Sequence, residues 1–122
     1  MAATRVLIVD DATRVREDLR TALSLAGNIE IIGEATNGRE AVQQAELLQP
    51  EVILMDLEMP ILDGYEATQQ IKTRCPGCRV IALTVHGYEA ARQKAFEVGV
   101  DVFIVKGAPV ERLMRAISEI KE

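Results

Sequence analysis

The sequence predicts an α/β domain in which five parallel strands form one sheet with helices on both faces, a (βα)5 three-layer sandwich. Three observations carry this. Four short apolar runs without polar interruption, and one more polar run, alternate with five amphipathic stretches. The runs are rich in Val, Ile and Leu, as strands buried on both faces must be. And 122 residues suit one domain with one core.

The elements follow in order. Arg5–Val9 is the first strand, and Thr13–Leu25 the first helix, with Val15, Leu19, Ala22, Leu23 and Ala26 on one side. Glu30–Ala35 is a weaker, more polar strand and reads as a sheet edge. Gly38–Leu48 is helical, its stripe made by Ala41, Val42, Ala45 and Leu48. Val52–Met55 is the third strand, followed by a helix over Asp63–Arg74 with a weaker stripe. Val80–Leu83 and Tyr88–Val98 repeat the pattern, again with a weak helical stripe. Val102–Val105 is the last strand. Pro109–Lys121 is the cleanest helix, with Pro109 near its start and Val110, Leu113, Met114 and Ile117 at helical spacing. Alternation of this kind requires a parallel sheet with right-handed crossovers. With the polar strand at an edge, the strand order is 2-1-3-4-5, the flavodoxin-like arrangement.

Composition narrows the function. A net charge of −5 argues against a nucleic-acid-binding surface, since phosphate contacts need clustered Lys and Arg. No apolar run approaches the roughly 20 residues that span a bilayer. The N-terminus reaches Asp10 too soon for a signal peptide. A soluble cytoplasmic protein is expected. The pair Cys75-Pro76-Gly77-Cys78 has the letters of a redox motif, but it follows a helix rather than opening one. A helix C-terminus disfavours a thiolate, and two cysteines with one distant histidine make a poor zinc site. The stretch is read as a Pro-Gly loop.

In such a sheet, ligands bind beyond the C-terminal ends of the strands. The first strand ends in Asp10-Asp11, the third in Asp56, the fourth in Thr84 and the fifth in Lys106. Taken singly each has a plain reading: Asp11 as a helix cap, Asp56 as the head of a loop, Thr84 as a strand residue, Lys106 as a solvated charge. Together they place three carboxylates, a hydroxyl and an ammonium on one rim. Carboxylates ~4 Å apart repel by roughly 4 kcal/mol at an effective dielectric near 20, so pKa values must rise or cations must enter. Lys106 is one cation. With only oxygen ligands on offer, a hard divalent ion is the second, and Mg2+ fits best. An aspartate beside magnesium, a lysine and a hydroxyl suits phosphoryl transfer, with the carboxylate as nucleophile.

The sequence strongly resembles the receiver domain of bacterial two-component response regulators. The resemblance spans essentially the whole chain, 1–122, through VLIVDD (Val6–Asp11), VILMDLEMP (Val52–Pro60) with Asp63-Gly64, ALT (Ala82–Thr84) and FIVK (Phe103–Lys106). It implies that Asp56 is the phosphoacceptor, charged by a histidine kinase in a phosphorelay. It implies that Asp11, Asp56 and the backbone carbonyl of Glu58 are direct magnesium ligands, with Asp10 acting through water. Thr84 and Lys106 are implied as phosphoryl contacts, and Phe103 as the switch aromatic that moves with Thr84. Glu58 and His86, two residues past Asp56 and Thr84, stand where the family tunes loss of the phosphoryl group. Where many relatives carry Pro after the lysine, in a cis peptide, this chain has Gly107; a cis bond there is not expected, since a non-proline cis bond costs about 3 kcal/mol.

The end of the chain, KGAPVERLMRAI (Lys106–Ile117), resembles receivers that precede a helix-turn-helix DNA-binding domain. The expected output is control of transcription through such a domain in a longer parent chain, by a phosphoacceptor rather than a turnover enzyme. Self-association through the last two helices is a further expectation. Two other readings use the same residues: a haloacid-dehalogenase-like phosphatase, and a pseudo-receiver that binds partners without phosphorylation. The first normally carries Asp-x-Asp after strand one and a cap domain, whereas here the acids are adjacent. The second does not need the complete set of acids, hydroxyl and lysine.

Overall fold

The computed structural model describes residues 3–119. Five strands and five helices alternate: β1 (Thr4–Val9), α1 (Thr13–Ser24), β2 (Ile29–Ala35), α2 (Gly38–Leu48), β3 (Val52–Asp56), α3 (Gly64–Arg74), β4 (Arg79–Thr84), α4 (Glu89–Glu97), β5 (Val102–Val105) and α5 (Val110–Glu119). The strands form one parallel sheet in the order β2-β1-β3-β4-β5, as expected, with the polar strand β2 at an edge. The expected last helix ran to Lys121, and its residues 120 and 121 lie outside the described residues. No described helix is long and apolar enough to cross a membrane.

Strand side chains alternate between faces, and the two faces bury two separate cores. Leu7, Val9, Ile53, Met55, Val80, Ala82 and Phe103 pack beneath α2, α3 and α4. Val6, Ile8, Val52, Leu54, Ile81 and Ile104 pack beneath α1 and α5. β3 is buried at every residue, its terminal Asp56 included. The weak stripes of α3 and α4 have a simple cause: these helices meet the sheet mainly through small residues, Ala67 and Thr68 in α3, Ala91 and Ala95 in α4. Val110, assigned to the apolar stripe of α5, instead stands exposed in its first turn.

Caps fix the helix starts nearest the acidic rim. Asn37 and Asp63 accept from the N–H groups of Glu40 and Glu66 at 2.9 Å, each a side-chain N-cap. Asp11 does not cap α1. The N-cap is Ala12, without a side-chain cap, and its N–H donates to Asp10 Oδ1 at 2.9 Å. The β1–β2 ladder shifts register between Val6 and Leu7, a bulge the sequence did not announce.

The Cys75–Cys78 stretch differs from the plain loop expected of it. It is a turn closed by Cys78 N–H donating to Cys75 O at 3.0 Å, and the two cysteines are joined by a disulfide. Their Cα atoms are 5.6 Å apart, inside the range a disulfide bridges. Helix-end electrostatics decides thiolate stability, whereas the turn decides how close the two residues come.

The β3–α3 connection packs tightly around one glycine. Gly64 donates to Leu57 O at 2.9 Å, and a Cβ there would collide with the backbone at Asp56 and Leu57. Gly77 has open space where its Cβ would stand. Gly64→Ala should therefore destabilise the domain by roughly 1–3 kcal/mol or more, as overpacking does, while Gly77→Ala should stay within about 0.5 kcal/mol of the parent. Urea unfolding of the two variants side by side tests this.

Candidate functional site

Four chain segments reach the C-terminal rim of the sheet, and each is shaped to present a polar group. Asp10 follows β1 directly and is buried, with Asp11 beside it exposed. Asp56 is the last residue of β3, paired with Leu83. Thr84 ends β4. Lys106 follows β5, its N–H donating to Thr84 O at 2.7 Å.

The structure brings the three acids together: one carboxylate oxygen from each of Asp10, Asp11 and Asp56 lies within 4.8 Å of the others. Lys106 Nζ stands 2.7 Å from Asp10 Oδ2 and 3.6 Å from Asp56 Oδ1. Its first partner is thus Asp10, a preference not legible in the sequence. A tight turn follows the lysine. Ala108 N–H donates to Val105 O at 3.2 Å, and Gly107 takes φ +98°. A positive φ at the third position is the type II geometry, which favours glycine. The described residues contain no cis peptide bond.

Charge at the site is only partly balanced, because three carboxylates face one ammonium. Burial pushes the Asp56 carboxyl up to about 6, and the neighbouring Asp10 and Asp11 add to the rise. The Lys106 charge and the Glu58 backbone N–H oppose it. For Lys106, burial pulls the ammonium down. Its hydrogen bond to Asp10 and the charges of Asp56 and Asp10 outweigh that, and its pKa lies above the ordinary lysine value. The donor set is all oxygen and carries excess negative charge, which fits a hard divalent cation such as magnesium.

Thr84 is buried, and its Oγ1 accepts from His86 N–H at 3.1 Å. Phe103 is buried in the core under α2, α3 and α4. Beyond the acids, Glu58 Oε1 and His86 Nε2 meet at 3.0 Å. Both side chains are about half exposed, so the pair links the β3–α3 and β4–α4 loops at the surface. Sequence reasoning placed each residue without pairing them, because they come from loops 28 residues apart, one on each side of β4. The loop after Asp56 holds one further surprise. Ile61 has φ +73°, and Leu62 N–H donates to Pro60 O at 2.8 Å, a tight γ-turn that a β-branched residue rarely enters. Leu62 O in turn accepts from Gly38 N–H at 2.8 Å, tying this loop to the start of α2.

Comparison with known proteins agrees with this geometry. The response regulator receiver domain family model matches residues 6–118. The chain is 37% identical over 118 residues to the chemotaxis protein CheY of Thermotoga maritima, covering 97% of this chain and 98% of that protein. It is 39% identical over 113 residues to the response regulator protein VraR of Staphylococcus aureus, covering 93% of this chain but only 54% of VraR. Among solved structures, the signal receiver domain of the putative response regulator NarL from Mycobacterium tuberculosis superposes with a TM-score of 0.93 at 28% identity, over 98% of this chain and 96% of that one. A CheX–CheY complex from Borrelia burgdorferi, solved with BeF3 and magnesium, gives a TM-score of 0.88 at 27% identity, over 99% and 92% of the two chains.

The raised Asp56 pKa has a signed consequence for stability in the absence of metal. Between its ordinary value of 3.8 and about 6, the folded protein keeps a proton that the unfolded chain has lost. Stability therefore falls as pH rises through this window and stays reduced above it, by roughly 3 kcal/mol. Asp56→Asn removes that cost. In EDTA at pH 7.5 the variant should be more stable than the parent by about 2–3 kcal/mol, and the gap should close near pH 4, as read from urea unfolding at the two pH values.

Proposed function

The chain belongs to the response regulator receiver domain family, the phosphoaccepting modules of two-component signal transduction, and from that premise we propose that Asp56 is its phosphoacceptor. The observation that carries this is the convergence of Asp10, Asp11 and Asp56 on one another with Lys106 Nζ against two of them. In the proposed step, an Asp56 carboxylate oxygen attacks the phosphorus of a phosphohistidine on a histidine kinase. The P–N bond breaks, the imidazole leaves with the electron pair and takes up a proton, and an aspartyl phosphate remains.

Asp11, Asp56 and the Glu58 backbone carbonyl would hold a magnesium ion directly, and Asp10 through water. When bound, that ion supplies charge neutralisation to the acids and to the transferred group. Lys106, already 3.6 Å from Asp56 Oδ1, is placed to take a phosphoryl oxygen. Thr84 takes another by turning its hydroxyl inward. Phe103 then follows into the space that Thr84 vacates, biasing a two-state equilibrium of the α4–β5–α5 side. Exposed Tyr88, Phe96, Val105 and Val110 fall on those elements and support partner binding or self-association there. The relationship to VraR, which is nearly twice as long as the match, supports an output domain that controls transcription in a longer parent chain. The module works in the cytoplasm, and its only turnover is slow loss of its own phosphoryl group.

A small phosphodonor with magnesium should add one phosphoryl group to the chain, read by intact mass. Asp56→Asn should gain none, and unchanged uptake by that variant would remove the assignment. Glu58 and His86 hold each other at 3.0 Å, and His86→Ala should release Glu58 and change the rate of phosphoryl loss severalfold. An unchanged decay rate would return His86 to the role of a solvated loop residue.

A further inference from the structure

At the opposite end of the sheet the geometry points to a second chemical site: Cys75 and Cys78 form a reversible disulfide that exchanges with a small, carboxylate-bearing thiol. The disulfide lies where α3 ends and β4 begins, among the N-terminal ends of the strands. A cleft of about 540 Å³ opens beside it, lined among others by Gln49, Glu51, Arg74 and Arg79, a size suited to a small molecule.

Two observations separate this from a structural staple. A disulfide restrains the unfolded chain more the longer the loop it closes, and this one joins residues only three apart. The fold here also has its own backbone bonds. Cys75 N–H donates to Ile71 O at 2.6 Å and Cys78 N–H to Cys75 O at 3.0 Å, restraints on the turn that do not depend on the S–S bond.

The two sulfurs are not equivalent. Cys75 is half-buried, whereas Cys78 is buried in the core under α2, α3 and α4. An incoming thiolate therefore attacks Cys75 Sγ. The S–S bond breaks, and its electron pair passes to Cys78 Sγ, which takes up a proton and remains in the core as a small apolar side chain. A second thiolate attacks the outer sulfur of the mixed disulfide, frees Cys75 as a thiol after protonation and leaves as the small-molecule disulfide. The balance is one protein disulfide and two thiols giving one protein dithiol and one small disulfide.

Neither cysteine needs a stabilised thiolate for this, because the incoming molecule brings it. That fits the position of Cys75 at the C-terminal end of α3, where the helix dipole disfavours negative charge. The basic side chains supply recognition. Arg74 pairs with Glu46 at 3.1 Å, with both side chains about half exposed. Such a pair holds weakly and leaves guanidinium N–H groups for a ligand carboxylate. Arg79 adds a second positive charge, with its Nε 3.7 Å from Asp101 Oδ1. Glu51 is engaged within the fold, accepting from Arg5 N–H at 2.8 Å.

The test equilibrates the whole chain in a series of reduced and oxidised glutathione mixtures, with free thiols trapped by alkylation and counted by intact mass. The disulfide fraction should move reversibly across the series, and a pair locked in one state throughout would overturn the inference. Oxidised glutathione should add to Cys75 in Cys78→Ser faster than to Cys78 in Cys75→Ser, and the reverse order would overturn the assigned direction of attack. Arg74→Glu should slow reduction by glutathione severalfold while leaving reduction by uncharged 2-mercaptoethanol unchanged. Equal effects on both would remove the acidic ligand. If that variant does not fold, the parent serves: added salt should slow the glutathione reaction and spare the other, and parallel responses would count against the proposal. None of these readouts involves Asp56, so they stand or fall apart from its phosphorylation.

Discussion

A parallel sheet covered on both faces leaves charge nowhere to go except its ends, and the rest of this molecule follows from that restriction. β3 is buried at every residue, so its single acid can sit only at its terminus. Because all five strands run the same way, their C-terminal ends share one rim, and a polar group at any strand's C-terminal end arrives at the same place. The acids of β1 and β3 and the lysine after β5 meet there without being near one another in the chain. The site is a by-product of topology before it is a device for chemistry.

Once the acids have met, electrostatics decides how they live together. One lysine cannot balance three carboxylates, and the imbalance falls on Asp56, the acid that combines deep burial with two acidic neighbours. Asp10 is buried too, but it has the lysine at 2.7 Å. The group with the raised pKa is therefore one whose charge a bound cation would redistribute. Stability given up at a buried acid is a common feature of functional sites.

The fold was largely legible in the letters because its signals are coarse and redundant. Uninterrupted runs such as Val52–Met55 admit few readings, and one polar strand was enough to orient the order. The site residues were legible for the same reason, since strand ends can be read from where apolar runs stop. What escaped were facts about distance across loops. The Glu58–His86 contact, the lysine's preference for Asp10, the disulfide and the γ-turn at Ile61 each depend on how connecting segments fold back, and no periodicity records that. Gly107 shows the boundary well. Glycine in place of proline predicts an ordinary trans bond after Lys106, but not the positive φ that Gly107 adopts. Asp11 shows the opposite case, where a common local rule, capping, proposed a role that the tertiary arrangement did not use.

Strand parity has one further consequence. Phe103 lies opposite Ala82 and Val105 opposite Thr84 in the β4–β5 ladder, so Thr84 and Phe103 project from the same side of the sheet. Both side chains face the layer of α2, α3 and α4, while α1 and α5 rest on an interior built from the alternate residues. A one-residue slip of β4 would put the hydroxyl and the ring on opposite faces, so their shared side rests on register alone.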